Sequence, residues 1–167
     1  MKILSWNCRG ISHPTAVCGL RALIRANSSD ILFLSETKIS SSLVSPILNH
    51  LGFYLMTHVA PSGTCGGLVL AWRLGVDLES FITNKNNITA WCYSDPPHSP
   101  WILSYIYGLP EKKNKVDFWD SFTTAGEAFV SPWLWLGDFN FVLNQSEKQR
   151  GYPIASSSHC YFINFID

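Results

Sequence analysis

Apolar residues come first in short runs separated by stretches of helical spacing. Residues 2–7 carry Ile3-Leu4-Ser5-Trp6, a strand-like run that ends in polar Asn7-Cys8-Arg9-Gly10. Ser12 or His13 before Pro14 marks a helix start, because proline is tolerated in a first helical turn. Val17, Leu20, Leu23 and Ile24 then recur at helical spacing, and Asn27-Ser28-Ser29 closes that segment. Ile31-Leu32-Phe33-Leu34 predicts a second buried strand ending at Ser35-Glu36-Thr37-Lys38. A second helix carries Leu43, Val44, Ile47, Leu48 and Leu51 and stops at Gly52. Strand signals follow at 53–59, 67–72, 76–83, 88–93 and 101–107, with Gly, Pro, Asn and Asp in the breaks, as turn chemistry requires. Residues 112–129 return to helical spacing, with Val116, Trp119 and Phe122 on one face. The run Pro132-Trp133-Leu134-Trp135-Leu136 reads as a strand apolar on both faces, as expected when both are covered. A polar loop at 144–151 and a helix at 156–167 complete the pattern. Strand–helix–strand–helix, then many strands, then helix–strand predicts mixed sheets with helices outside.

Three of these strands end in polar clusters: Asn7, Glu36, and Asp138 with Asn140. In α/β sheets, sites collect beyond the carboxyl ends of strands. Gly137-Asp138-Phe139-Asn140 is the most informative of the three. Gly137 permits close backbone approach, and an extended chain would point Asp138 and Asn140 the same way. A carboxylate can take a proton or hold a cation, and an amide can donate to an oxyanion, which together suit phosphoryl chemistry. Asp and Asn equally favour an Asx turn after a strand. Taken alone, Glu36 reads as a solvated acid paired with Lys38, Asn7 as a turn residue and Tyr107 as a packed aromatic.

Composition narrows the classes. The 167 residues make one domain or part of one, with 47% hydrophobic residues and only 14% charged, against about 25% charged in a typical domain. Such a chain can build a core. No apolar stretch approaches the roughly 20 residues of a membrane span, and Asn7 and Arg9 interrupt the N-terminus too soon for a signal-peptide core. This implies an intracellular location, the nucleus included. Twelve basic residues balance twelve acidic ones, which disfavours autonomous nucleic-acid binding through charge alone. The five cysteines, Cys8, Cys18, Cys65, Cys92 and Cys160, are odd in number and scattered. They predict reduced thiols rather than a zinc ribbon or disulfide framework. His159-Cys160 reads as part of an amphipathic C-terminal helix.

In order, the chain presents Trp6-Asn7-Cys8-Arg9-Gly10, Ser35-Glu36-Thr37-Lys38, Tyr107-Gly108-Leu109-Pro110 and Gly137-Asp138-Phe139-Asn140. This series resembles the endonuclease/exonuclease/phosphatase family, and within it the endonuclease domain of plant LINE-type (non-LTR) retrotransposons. Ser146-Glu147-Lys148 with Gly151 is similar to the same branch. The resemblance covers residues 1–167 as the N-terminal part of one such domain. It implies a four-layered α/β sandwich of two mixed sheets flanked by helices, like deoxyribonuclease I.

It also implies roles. Glu36 would ligate a divalent metal, Mg2+ or Mn2+, since hard oxygens and retained waters suit such ions. Asn7 would orient the metal site and the scissile phosphate, and Tyr107 would contact the phosphate through its hydroxyl. Asp138 would orient or deprotonate the attacking water, and Asn140 would donate to the charge developing on phosphorus. The reaction would be hydrolysis of a DNA phosphodiester by in-line attack, with a reverse transcriptase domain as partner in the parent element.

One departure stands against the match. The family's Ser-Asp-His element, which carries the catalytic histidine, is absent, so the resemblance implies a C-terminally truncated domain. Loss of one acid/base group lowers rate by about 10²–10⁴-fold, so impaired activity is expected. Two other readings compete: an inactive retroelement remnant, and a phosphatase on the same fold. No Gly-x-Ser-x-Gly elbow, P-loop or His-Glu-x-x-His pair points to another hydrolase class.

Overall fold

Two strands that are apolar at every position organise the first part of the molecule. β2 (Ile31–Ser35) and β4 (Leu68–Trp72) are buried throughout because each contributes to two cores. In β2, Leu32 and Leu34 face one hydrophobic cluster while Ile31 and Phe33 face another. The alternation of side chains along a strand produces this division. The computed structural model describes residues 1–63, 65–109, 115–142 and 146, so the expected loop at 144–151 lies almost wholly outside the described residues, and the expected helix at 156–167 wholly so.

β1 (Ile3–Asn7) runs parallel to β2 after the crossover helix α1 (Pro14–Asn27). His13 caps that helix through its ring nitrogen, which accepts from Thr15 N, and Ser28 ends it in a left-handed conformation. α2 (Ser41–His50) leads to β3 (Leu55–Val59), and both β2 and β3 pair antiparallel with β4. The first sheet therefore has the order β1-β2-β4-β3 and is mixed. Leu20 and Ile24 of α1 and Val44 and Leu48 of α2 cover one face of it.

The second sheet, β5-β6-β7-β8, is also mixed. β5 (Leu78–Asn84), β6 (Asn87–Ser94) and β7 (Pro97–Tyr107) form an antiparallel meander, and β8 (Trp133–Asp138) pairs parallel with β7. A parallel pair needs a long crossover, and that connection contains α3 (Lys115–Ala128). Ile88, Ala90, Leu103 and Tyr105 pack against Phe33, Leu68 and Leu70 of the first sheet. Phe33 and Tyr105 stack with centroids 4.4 Å apart. Burying a side chain of this size stabilises the fold by about 1.5–3 kcal/mol.

The chain divides into two compact units. The first is Met1–Tyr107 with Ser131–Asp138, and it holds both sheets, α1 and α2. The second holds α3 and the described residues from Phe139 onward. In it, Phe118, Trp119 and Phe122 form an aromatic cluster with Phe139.

Two mixed sheets with helices are as the pattern predicts, and the fold is the deoxyribonuclease I-like sandwich. β8 departs from expectation. It lies at the end of the strand order and is only half-buried, with Leu134 41% exposed, instead of covered on both faces. No helix among the described residues is long and apolar enough to cross a membrane. Cys8 and Cys92 are buried, and Cys18 and Cys65 exposed.

Candidate active site

Parallel pairing puts the carboxyl ends of neighbouring strands side by side. Asn7 ends β1 opposite Ser35 of β2, and Tyr107 ends β7 opposite Asp138 of β8. Gly137 permits the second alignment: it has φ +140°, and any Cβ there would collide with the Ile106 carbonyl. The strand ends are thus set by backbone register before any polar contact forms.

The loops beyond β1 and β2 are held in unusual conformations. Arg9, Glu36 and Lys38 have φ of 48°, 55° and 57°, a left-handed region that non-glycine residues seldom occupy and that clusters at functional sites. Main-chain bonds hold them there. Gly10 N donates to Glu36 O, Ile11 N to Thr37 O, Thr37 N to Gly67 O and Lys38 N to Gly66 O. The Cys8 thiol donates to Ser35 O at 3.2 Å. Gly67 must be glycine, because its φ is +88° and a Cβ would strike the Thr37 hydroxyl.

Four polar side chains meet on this base. Asn7 Nδ2 donates to Glu36 Oε1 at 3.0 Å and to Asp138 Oδ2 at 3.0 Å. The Tyr107 hydroxyl donates to the same Glu36 Oε1 at 3.1 Å. Lys38 Nζ lies 3.6 Å from Glu36 Oε2, and Asn7 Oδ1 accepts from Arg9 N. The Asn7 amide, through its two N–H groups, therefore links the two sheets.

The electrostatics follow from these contacts. The Asn7 hydrogen bond holds the Glu36 carboxyl below its ordinary value, and the Tyr107 hydroxyl and the Lys38 and Arg9 charges act in the same direction against partial desolvation. Partial burial pushes the Tyr107 phenol up to about 12, and its bond to Glu36 and the negative charges of Glu36 and Asp138 add to this. At neutral pH Glu36 is a carboxylate and Tyr107 a neutral donor.

The donor set suits a hard divalent cation. Glu36 and Asp138 offer carboxylate oxygens, while no group of three or more His, Cys, Asp or Glu occurs among the described residues. That fits an ion held by one or two carboxylates that keeps several waters and takes substrate phosphate oxygens.

Of the residues singled out in the sequence, Asn7, Glu36, Tyr107 and Asp138 converge. Asn140 belongs to the second unit, where its amide donates to Gly108 O at 2.8 Å. Its φ of 49° ends the extended register, so it does not repeat the direction of Asp138 as strand alternation predicts. Sequence reasoning missed Asn86, which sits in the β5–β6 turn. Its carbonyl accepts from Tyr107 N and its amide donates to Tyr107 O at 2.8 Å, so it grips the backbone of the residue that supplies the hydroxyl. An Asn in an Asn-Lys-Asn-Asn turn carries no sequence mark of such a role. Gly67 was legible only as the start of the strand at 67–72, which the structure begins at Leu68.

Two stacked mixed sheets with an acidic and amide cluster at their carboxyl ends define an α/β sandwich with its polar centre at the strand tips. The chain belongs to the Endonuclease/Exonuclease/phosphatase family, whose model matches residues 4–165. Among solved structures it is similar to the 3′ phosphatase NExo from Neisseria bound to product DNA hairpin, with 18% identity, TM-score 0.72, and coverage of 99% of this chain and 70% of that one. An AP endonuclease from Archaeoglobus fulgidus gives 15% identity, TM-score 0.71 and coverage of 99% and 70%. The endonuclease domain of TRAS1, a telomere-specific non-LTR retrotransposon, gives 14% identity, TM-score 0.55 and coverage of 83% and 58%. No curated protein matches the chain.

Proposed function

We propose that this chain carries the metal-assisted centre of a DNA phosphodiesterase, an endonuclease of the retrotransposon type. The observation that carries the reading is the single Asn7 amide held between the carboxylates of Glu36 and Asp138. Two carboxylates brought together repel each other, and a structural role alone gives no reason to spend an amide on holding both at a surface-accessible strand end.

In this reading Glu36 and its neighbours hold Mg2+ or Mn2+. A bound divalent ion supplies Lewis-acid stabilisation of the charge that builds on the phosphoryl oxygens. Asn7 fixes the two carboxylates in one orientation, so less reorganisation is needed during reaction. Tyr107, neutral at working pH, presents a hydroxyl that can donate to a phosphate oxygen. Asp138 orients the attacking water and accepts its proton. DNA is the substrate class supported by the similarity to the 3′ phosphatase NExo bound to product DNA hairpin. A reverse transcriptase partner rests on the motif resemblance and on the non-LTR element among those neighbours.

Phosphatase action on the same centre is favoured by one observation, the 3′ phosphatase activity named for a similar structure. Supercoiled plasmid separates the two, since it has no phosphate monoester. The test compares this chain with the same chain continued through a Ser-Asp-His segment, in Mg2+. Nicking by the continued protein, abolished by Glu36→Gln and by Asp138→Asn, supports the endonuclease. A folded, continued protein that releases phosphate from a 3′-phosphorylated oligonucleotide but leaves plasmid intact points to the phosphatase. If it does neither, the phosphodiesterase proposal is wrong.

A further inference from the structure

At the opposite end of the first sheet lies a basic cleft that the carboxylate centre does not use. Its volume is about 430 Å³, and its lining includes Arg21, Arg25, Arg73, Ile24, His50 and Leu51. Arg73 directly follows β4, whose last residue pairs with the first of β2, whereas Glu36 follows the last of β2. A five-residue strand spans roughly 15 Å, so the two sites are separated by the length of the sheet.

Three of the chain's twelve Lys and Arg residues line this one cleft. Arg21 and Arg25 lie one turn apart on α1, a helix with no acidic residue, and neither has a salt-bridge partner among the described residues. Like charges at that spacing destabilise a helix. Arg73 is fixed in place: Nε donates to Ser29 O at 2.9 Å, and its guanidinium lies 4.6 Å from the Phe53 ring centroid. The acid at the cleft, Asp30, already accepts from Lys2 N. The carboxyl ends of α1 and α2 border the cleft, and each contributes about half a negative charge. Three guanidinium charges exceed Asp30 and both dipoles by about one positive charge.

We infer that this cleft binds the phosphate group of a nucleotide, as a free mononucleotide or within a strand. Guanidinium groups match phosphate oxygens in geometry as well as charge. The cleft is of ligand-pocket size, and Ile24 and Leu51 offer an apolar wall for a base. The inference is independent of the endonuclease reading, because it uses none of the strand-tip residues.

The test is calorimetric titration of the full chain with AMP, inorganic phosphate and a short single-stranded oligonucleotide, in EDTA to silence any metal-dependent binding. Arg21→Gln/Arg25→Gln is the informative variant, because both side chains are exposed and their loss leaves the Arg73 contacts intact. AMP binding that weakens at least about tenfold in this variant, and stays unchanged in Glu36→Gln, supports the cleft. AMP tighter than phosphate identifies the nucleotide as the ligand, and oligonucleotide tighter than AMP identifies the strand. Equal AMP affinity in the wild type and the double variant, no binding at millimolar concentration, or loss in Glu36→Gln alone overturns it.

Discussion

Glu36 and Asp138, from different sheets, accept hydrogen bonds from the same nitrogen, Asn7 Nδ2, each at 3.0 Å. An amide donating both its hydrogens to carboxylates makes two charge-assisted bonds, stronger than neutral ones. It also fixes the position of one sheet's acid relative to the other's. Asn7→Ala should therefore reduce metal-dependent cleavage by about 10²–10³-fold, as for loss of a preorganised donor. Single-turnover nicking rates measure this, and an unchanged rate would remove Asn7 from the mechanism.

Asn86 grips Tyr107 only through its backbone, so it acts as a positioning residue. Asn86→Ala should lower kcat by about tenfold, with the Tyr107→Phe variant insensitive to the same change. A double-mutant cycle reads the coupling, and additive losses in the cycle would show that Asn86 does not act through Tyr107.

The phenol of Tyr107 is raised to about 12, so the folded state holds its proton more tightly than the unfolded chain. The resulting stability is fully present below the ordinary tyrosine value near 10 and disappears as pH rises through about 12. Ultraviolet titration of wild type against Tyr107→Phe should show one late-titrating tyrosine missing in the variant. Titration of that group near 10 would contradict the contact with Glu36.

For Glu36 the sign is opposite. Its folded-state value is lowered, so its stabilisation is present above the ordinary glutamate value, near 4.3, and is lost as pH falls through the lowered one. Glu36→Gln should flatten the acid limb of the stability curve measured by denaturant unfolding at pH 3–6. Parallel curves for the two proteins would mean that Asn7 and Tyr107 do not stabilise the charged form.

Tyr105 is fully buried and stacked on Phe33, yet its hydroxyl has no hydrogen-bond partner among the described residues. An unmet buried hydroxyl costs about 1–3 kcal/mol. Tyr105→Phe keeps the ring and should raise Tm by about 2–4 °C for each kcal/mol recovered. A lower Tm would indicate that the hydroxyl is satisfied.

Much of this was legible in the chain. An apolar run marked β2 as a buried strand, a strand signal at 67–72 marked β4, and helical spacing marked α1 and α2; that β2 and β4 are buried at every position came only with the structure. The polar tips Asn7, Glu36 and Asp138 stood out because they followed such runs, and Tyr107 because it closed one. Two features were hidden for physical reasons. A turn asparagine such as Asn86 looks the same whether it caps its own turn or holds a distant strand. The left-handed Asn140 broke an alternation that holds only while the chain stays extended. β8 misled because an apolar run reports burial somewhere, not the number of faces covered.

Direct titration with Mn2+, followed by electron paramagnetic resonance, tests the central claim most closely. A bound ion is expected in the wild type, lost in Glu36→Gln, weakened in Asn7→Ala and retained in Asp138→Asn. Undiminished binding in Glu36→Gln, with the fold intact by circular dichroism, would contradict this role for Glu36.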